Sequence, residues 1–521
     1  MPIRMVDDPN DQYDNSNEGR GGGGGGFPGG GGGIFSLLPL LFGLIKNPVM
    51  LVIVLLVGGY FYFQGGCNME QMSSLATGGV LDPKEFNKAP IYEATDETKN
   101  PLPERVSLRR FAPTPGNQGQ QGSCVAWSSA YGARTILEAS RSGVNPDQIA
   151  FSPAFLYNQI GLEGCQGSYI IRAVESMSKV GSVPMQYFPY DETDCSRQPG
   201  GQLKQSAGQF KLLGFTRLTD GDRLSVLDIH AIKEHLSKDV PVIIGMMVGG
   251  SFMQGMMGKD LWQPTQDDYS MMGFGGHAMC VIGYDDRKDG GAFEILNSWG
   301  PEWGNNGVGF VKYVDFKHFT KEAYGLNPMP LSGAAANANN ALECSIGLVE
   351  GTTKKYIPIQ VKSGNTFQTT TPIAKGTTFK MEIKNSSACY IYVLGMETDG
   401  SSYVLFPYPS KENASVSKFS PYCGITGYRL FPRGMSLQAD NVGSKDFMAV
   451  VVSKDSMNVF DLNKAVNAGR SAGFGNAVNN ALRNSAISNV RFSNGGQGTL
   501  YFKADASAAS AVSCIVEIDK R

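Results

Sequence analysis

The stretch NQGQQGSCVAW, residues 117–127, places one thiol between a turn rich in glycine and glutamine and an apolar run that favours a helix. A cysteine in the first turn of a helix can be a buried packing residue, a disulfide partner, a metal ligand or a nucleophile. Residues further along the chain decide among these uses.

The composition excludes some classes of protein. The chain has 521 residues, 41% of them hydrophobic, which is enough for two or three domains that each bury a core. A formal net charge of -2, with no basic stripe carrying interleaved aromatic residues, argues against a nucleic acid partner. Nine cysteines in a chain of this length are too few for a disulfide scaffold.

The N-terminal residues predict a membrane anchor. Residues 1–47 contain the tract RGGGGGGFPGGGGG and predict a flexible, cytoplasmic N-terminus, because glycines offer no side chains to pack. An apolar run then predicts a transmembrane helix over 48–64. Arg20 and Lys46 precede this run and the next basic residue is Lys84, so the positive-inside rule places the rest of the chain in the periplasm or outside the cell.

Two other interpretations of the apolar run are open. One is a cleaved signal peptide, which the leader of 46 residues before Asn47 argues against. The other is lipid modification of Cys67, which the same long leader disfavours. The sequence therefore favours a single-pass membrane protein. The predicted transmembrane helix is followed by a spacer over residues 65–101, which shows no sustained periodicity.

Residues 102–330 predict an α+β fold with a helical half and a sheet half. Helical spacing in VAWSSAYGARTILEA, SYIIRAVESMSKVG and DIHAIKEHLSKD comes first along the chain. The apolar runs VPVIIGMMV, AMCVIGYDD, AFEILNSW and GVGFVKYV follow and predict β-strands.

Three ordered blocks give Cys124 partners. His277 lies in GFGGHAMCVIGYDD and Asn297 in NSWGPEWGNNGVGFVKY. A cysteine near the start of a domain, with His and Asn far downstream, is the arrangement of papain-like proteases. With LPERVSLRRFAPTPGNQGQQGSCVAW these blocks resemble bacterial members of the papain-like cysteine peptidase family, which implies a papain-like fold of two subdomains and a peptidase activity.

The resemblance assigns roles residue by residue. It implies Cys124 as nucleophile, His277 as its proton acceptor and donor, and Asn297 as the residue that orients the imidazole. Gln118, six residues before the cysteine, matches the family's oxyanion-hole glutamine. Trp299 matches the tryptophan that shields the Asn–His contact from water.

The resemblance also implies substrate contacts. Gly167 and Ser168, in CQGSYIIRA, match the edge along which the family lays a substrate backbone, although Ser168 departs from glycine. Ala278 would border the pocket for the second residue on the acyl side. Gln121 stands where the family often has a cysteine, so the usual disulfide to Cys165 cannot form, and pairing of Cys165 with Cys195 is the alternative that the resemblance leaves.

Residues 340–521 predict a separate, β-rich accessory domain, sandwich-like and all-β except for a weak helical insertion at DLNKAVNAGRSAGFGNAVNNALRNSA. The stretch FKMEIKNSSACYIYVLGMETDGSSYVLFPYP resembles a bacterial domain of unknown function that accompanies peptidases and kinases. This implies a structural role or a protein or cell-envelope partner. The four cysteines of this domain could form two disulfides, Cys344 with Cys514 and Cys389 with Cys423.

The sequence as a whole predicts a membrane-anchored cysteine peptidase that acts on proteins or peptides through a thioester acyl-enzyme. It predicts neither cofactor nor metal, since the four histidines form no HExxH motif and no CxxC pair occurs. Two alternatives remain: a catalytically silent surface scaffold on the same fold, and an acyl-transferring, transpeptidase-like enzyme.

Overall fold

The computed structural model describes residues 3–7, 77–330 and 340–521. The predicted transmembrane helix over 48–64 and residues 8–47 of the predicted N-terminal tether lie outside the described residues. Within the described ranges, no helix is both long enough and apolar enough to cross a bilayer.

The helical half of the α+β region is built around one long buried helix, α2. It begins as Cys124–Ala126, continues with π-type turns over Trp127–Arg134 and ends as Thr135–Ser142, where Gly143 adopts a left-handed conformation at φ 71°. The other helices in this part of the chain are α1 (Pro83–Phe86), α3 (Pro146–Ile149), α4 (Pro153–Ile160), α5 (Ile170–Lys179), α6 (Gly201–Ala207), α7 (Ile229–Leu236), α8 (Gly250–Gln254) and α9 (Tyr313–Phe319). The three predicted helices correspond to α2, α5 and α7.

The sheet half is antiparallel. Its strands are β2 (Arg105–Ser107), β3 (Phe215–Arg217), β4 (Val242–Val248), β5 (Gly275–Asp285), β6 (Ala292–Leu296), β7 (Val308–Lys312) and β8 (Thr320–Leu326). They follow the order β3-β8-β4-β5-β6-β7, with β2 paired to β5. The four apolar runs in the sequence correspond to β4, β5, β6 and β7, which are almost entirely buried because both faces of the sheet are covered.

The β-domain, residues 340–521, consists of two sheets that face each other across a core. The first sheet contains β9 (Ala341–Glu350), β10 (Tyr356–Ile357), β13 (Thr378–Asn385), β17 (Gly427–Phe431), β18 (Met435–Ala439), β20 (Arg491–Asn494) and β21 (Leu500–Asp505). The second contains β11 (Ile359–Ser363), β12 (Thr366–Thr369), β14 (Cys389–Met396), β15 (Ser402–Phe406), β16 (Tyr422–Cys423), β19 (Lys445–Ser453) and β22 (Ala511–Asp519).

Strand alternation decides which residues fill this core. In β14, Ile391 and Val393 face the first sheet, whereas Tyr392 and Leu394 face outward. The outward face is not left to solvent, because the predicted helical insertion forms α10 (Val459–Ala468) and α11 (Phe474–Ala481) and packs over it. The prediction of an all-β sandwich therefore holds for the two sheets, with a helical layer added on one side.

One part of the predicted flexible N-terminus is ordered. Residues Ile3–Asp7 form strand β1, which pairs antiparallel with β18 from Ile3 opposite Ala439 to Asp7 opposite Met435. Ile3 is 1% exposed and belongs to the core between the two sheets. The prediction of a tether was wrong for these residues, because the glycine tract that suggested it begins well after them.

The predicted spacer also contributes to the fold in its described part. Residues 77–101 pack against both folded regions, and Pro90–Tyr92 lies between them. Tyr92 N donates to Arg217 O at 3.1 Å, and Ile91 N donates to Lys418 O at 2.6 Å. Apart from the single turn α1 (Pro83–Phe86), which buries Phe86, the segment is held by isolated backbone bridges, so it shows no sustained periodicity.

The cysteines divide into one disulfide and several thiols. Cys165 and Cys195 are disulfide-bonded, which confirms that alternative. The disulfides considered for the β-domain are absent: Cys344 and Cys514 lie in opposite sheets and remain thiols, and Cys389 and Cys423, although they face each other in β14 and β16, are thiols too. All four are buried core residues.

Candidate active site

Cys124 begins α2 at the interface between the two halves of the α+β region. Its side chain is 0% exposed, and its Sγ accepts a hydrogen bond from the backbone N of Ala278 at 3.4 Å. Because Ala278 follows His277 on β5, this contact holds the thiol next to the histidine. The helix N-terminus also directs free backbone N–H groups toward the sulfur, which favours its anionic form.

His277 is held in one orientation by residues that follow β6. Its Nε2 lies 2.7 Å from Asn297 Oδ1, and the same oxygen accepts the backbone N–H of Ser298 at 2.8 Å. An oxygen that accepts from Ser298 also accepts from the imidazole, so Nε2 carries the proton and Nδ1 is left with its lone pair. Trp299 stacks on the ring with centroids 4.3 Å apart and covers this hydrogen bond.

Gln118 is fixed by the same segment that holds His277. Its Oε1 accepts from Ser298 Oγ at 2.7 Å, and its Nε2 donates to Gln121 O at 2.9 Å. A primary amide has two N–H groups, so Nε2 retains a second donor. Gln121 in turn donates to the backbone oxygens of Asp191 and Glu192. These hydrogen bonds anchor the turn at the position where the family often has a disulfide-forming cysteine.

A stretch of the chain itself lies over this centre. We refer to residues Thr77–Asp82 as the covering segment. Gly79 N donates to Gly276 O at 2.9 Å, while Ser168 N donates to Gly78 O at 2.9 Å and Val80 N to Ser168 O at 3.0 Å. The segment therefore forms a parallel bridge to Ser168 and crosses the cleft between the two halves.

The fit of the covering segment depends on glycine. A Cβ on Gly78, whose φ is +151°, would lie 2.2 Å from the backbone oxygen of Gly122, two residues before the thiol. A Cβ on Gly276 would lie 2.0 Å from Gly79 O. At these two positions the backbones are so close that any side chain would push them apart. Leu81, two residues after Gly79, inserts its side chain beside Gly245.

Burial keeps both reactive groups neutral. It raises the pKa of the Cys124 thiol to about 12, with backbone hydrogen bonds from Ala278 and Val125 acting in the opposite direction. Burial also lowers the pKa of His277 to about 4, against the hydrogen bond to Asn297. At neutral pH the covered centre therefore contains a thiol and a neutral imidazole, rather than a thiolate and an imidazolium.

This part of the chain is similar to known proteins. Residues 102–330 match the family model of the papain family cysteine proteases. The chain is 29% identical over 255 residues to cathepsin B-like CP2 of Giardia intestinalis, covering 46% of this chain and 79% of that protein, and 25% identical over 252 residues to cathepsin K of Mus musculus, covering 47% and 70%. Among solved structures, xylellain, a cysteine protease from Xylella fastidiosa, matches at 21% identity and a TM-score of 0.40, over 49% of this chain and 96% of that one.

Residues 102–330 form a papain family cysteine protease domain. The enzyme class is therefore that of a cysteine-type peptidase, a hydrolase. Within this domain the structure brings Cys124, His277 and Asn297 together from three separate elements. It places Gln118 against Ser298, the residue after Asn297.

The predicted substrate edge of the papain-family domain is the one that the covering segment uses. Ser168 pairs with Gly78 and Val80 through its backbone, and its side chain turns away to donate to Ile160 O at 3.0 Å. Although residue 168 is serine and not glycine, its side chain does not block the backbone N–H and C=O groups that pair with the covering segment. Gly167 N donates instead to Tyr157 OH, at 3.0 Å.

Three further residues were not singled out from the sequence. Ser298 fixes both the Gln118 amide and the Asn297 carbonyl oxygen. Tyr190 donates to Gln118 O at 2.7 Å and lies 2.7 Å from Ser123 Oγ. Ser298 lies inside a quoted motif and could have been found there, whereas Tyr190 is brought to the site only by the loop closed by Cys165–Cys195.

Glu322 is the third of these residues, and it marks the end of the cleft beyond Leu81. Its carboxylate accepts from Asp82 N at 3.1 Å and from Tyr324 OH at 3.3 Å. Burial raises its pKa to about 8. Among the described residues, no group of three or more His, Cys, Asp or Glu side chains could hold a metal ion.

Proposed function

We propose that this chain is a membrane-anchored cysteine peptidase that cleaves peptide bonds through Cys124, His277 and Asn297, with Gln118 in the oxyanion hole. The observation that carries the proposal is the hydrogen bond between His277 Nε2 and Asn297 Oδ1, because it leaves Nδ1, which is buried and has no hydrogen-bond partner, as the basic nitrogen. A histidine oriented in this way can take the thiol proton and later return it.

The reaction then follows from the positions of the groups. The Cys124 thiolate attacks the substrate carbonyl carbon, and the carbonyl oxygen becomes an oxyanion that the Cys124 backbone N–H and the free Gln118 N–H stabilise. His277 donates its Nδ1 proton to the leaving amine as the C–N bond breaks, which leaves a thioester. Water, deprotonated by the same nitrogen, attacks the thioester, releases the acid and restores the thiolate.

The chain as it folds is latent under this proposal. The covering segment occupies the substrate edge at Ser168 and contacts the turn that precedes Cys124. A substrate cannot use the same backbone groups until residues 77–82 leave. Displacement also returns water to Cys124 and His277, so their pKa values move toward the values that allow an ion pair.

The membrane part of the proposal rests on the sequence. Residues 34–63 form an apolar run interrupted by few polar residues, and it precedes the covering segment by little more than a dozen residues. We propose that this run holds the peptidase domain at a membrane, where protein or peptide substrates are presented. The β-domain would contribute a binding surface for a protein or cell-envelope partner.

One experiment tests the catalytic proposal. The full chain and its Cys124→Ala variant are treated with an epoxide-type cysteine inhibitor and assayed on a peptide library, after limited proteolysis has been used to cut the covering segment. We expect thiol-dependent cleavage and labelling of Cys124 in the parent chain only. No labelling and no cleavage would refute the proposal.

The same assay separates the alternatives. Labelling of Cys124 without turnover of any peptide would indicate a silent scaffold. Products that keep the acyl group on an added amine would indicate acyl transfer instead of hydrolysis.

A further inference from the structure

Strand β1 fixes the N-terminus to the β-domain. All five of its residues pair with β18, and the hydroxyl of Tyr403 donates to Ile3 O at 3.0 Å and accepts from Ile3 N at 3.2 Å. Ile3 contributes to the core between the two sheets, and Met5 packs against it. The pairing is therefore part of the domain's structure and not an incidental contact at its edge.

This pairing limits how the chain passes a membrane. β1 precedes the apolar run and β18 follows it, so a single crossing would place the two strands on opposite sides of the bilayer. Strands that exchange hydrogen bonds lie on the same side. Pairing within one chain therefore requires either no full crossing or an even number of them.

The length of the apolar run decides between these two cases. Ile34 to Phe63 comprises 30 residues, including Lys46 and Asn47 near its middle. One full crossing takes about 20 apolar residues, so two crossings need about 40. The run is long enough for one span and too short for two.

We infer that the chain enters and leaves the membrane on one side, with the N-terminus, the β-domain and the peptidase domain all on that side. This replaces the topology predicted from the charges that flank the run, in which the N-terminus is cytoplasmic and the peptidase domain lies outside. The inference rests on the proposed membrane anchor and names the kind of contact, an apolar segment embedded from one face of a lipid bilayer.

Two measurements on the full chain test the inference. The first uses epitope tags added at Met1 and after Arg521, in sealed membrane vesicles treated with protease. We expect both tags to be protected or both to be removed, with both removed once detergent is added. One tag protected and the other removed would overturn the inference.

The second measurement tests the pairing by cross-linking, with Cys124 replaced by serine. Arg4 and Gln438 are register partners in β1 and β18, so the Arg4→Cys, Gln438→Cys pair should form a disulfide within one membrane-bound chain. The matched control is Arg4→Cys with Lys503→Cys, since Lys503 lies on β21, three strands beyond β18 in the same sheet. Cross-linking only between two chains, or equally in the control, would overturn the pairing within one chain.

Failure of the anchor gives a different result. If the chain washes off membranes in alkaline carbonate, the proposed membrane anchor is wrong and the sidedness inference falls with it, whereas thiol-dependent cleavage by the same chain would leave the proposed peptidase activity standing.

Discussion

Two segments meet over the same thiol and are held by different kinds of interaction. The turn before Cys124 is fixed by side chains, since Gln118 and Gln121 each make specific hydrogen bonds. The covering segment is fixed mainly by its backbone, through bridges to Ser168 and Gly276. Side-chain contacts require particular residue types, whereas backbone contacts require only that no side chain is large enough to separate the two backbones. The first segment can be recognised from sequence and the second cannot.

The largest effect on activity should come from the turn before Cys124, which side chains hold in place. In a chain whose cleft has been opened, Gln118→Ala should lower kcat by about 10²- to 10³-fold, because one oxyanion donor is lost. Gln120→Ala is the matched control, since Gln120 is exposed where Gln118 is buried. Steady-state kinetics on one fluorogenic peptide measure both variants. Equal rates for the two variants would show that Gln118 has no special role.

Weakening the backbone contacts of the covering segment should make Cys124 more reactive. Gly78→Ala places a Cβ against the Gly122 oxygen at a strained φ, which costs the covered state about 1–3 kcal/mol. The rate at which an epoxide inhibitor labels Cys124 should therefore rise about 10- to 100-fold, followed by mass spectrometry of the labelled peptide. Gly201→Ala is the control, because no heavy atom lies within 4 Å of a Cβ there. A rate unchanged from the parent chain would mean that residues 77–82 do not limit access.

The pH dependence of alkylation should separate the covered from the open centre. In the covered chain burial raises the Cys124 pKa to about 12 and lowers the His277 pKa to about 4, so reaction with iodoacetamide should increase steadily into the alkaline range. Uncovering lowers the first pKa and raises the second, which should add a reactive limb near neutral pH in Gly78→Ala. His277→Ala in that background should remove the limb. A single alkaline profile in every variant would contradict an ion pair.

The smallest effect should come from Leu81, one of the two apolar side chains in the covering segment. Leu81 is half-buried beside Gly245, so Leu81→Ala removes about 1 kcal/mol of burial and should raise the labelling rate about fivefold. Leu213→Ala is the control because Leu213 is 53% exposed. If Leu81→Ala instead raised the labelling rate as much as Gly78→Ala does, the covering segment would depend on side-chain packing as much as on backbone fit.

The difference between the two segments explains which parts of the fold could be predicted. The three helices and four strands predicted within residues 102–330 carry clear apolar periodicity, and they form where expected. The proposed chemistry at Cys124, His277 and Asn297 requires particular residue types, and the papain-like fold sets their order along the chain, so these residues were named from the sequence. In the structure Ala278, next to His277, contacts Cys124, and His277 contacts Asn297. Ser298 lies in the same motif and was missed, although its position beside Asn297 could have named it.

Backbone pairing accounts for most of what was missed. Residues 3–7 have no strand signal strong enough to stand out beside a glycine tract, and β1 exists because the edge of β18 is available to pair with it. Residues 77–101 lack periodicity because each of their bridges involves one or two residues. The positions of the β-domain cysteines are also set by strand pairing, which places Cys344 and Cys514 in opposite sheets and Cys389 opposite Cys423 in one sheet, and all four are thiols.

The sequence by itself determined the family of the α+β region, the residues of its candidate site and the alternating cores of both folded regions, because these depend on residue type and local period. Only the tertiary structure decided that residues 77–82 cover the site and that β1 joins the β-domain. Both depend on main-chain N–H and C=O groups, which every residue except proline carries in full. Which of them pair is set by where distant segments meet in space.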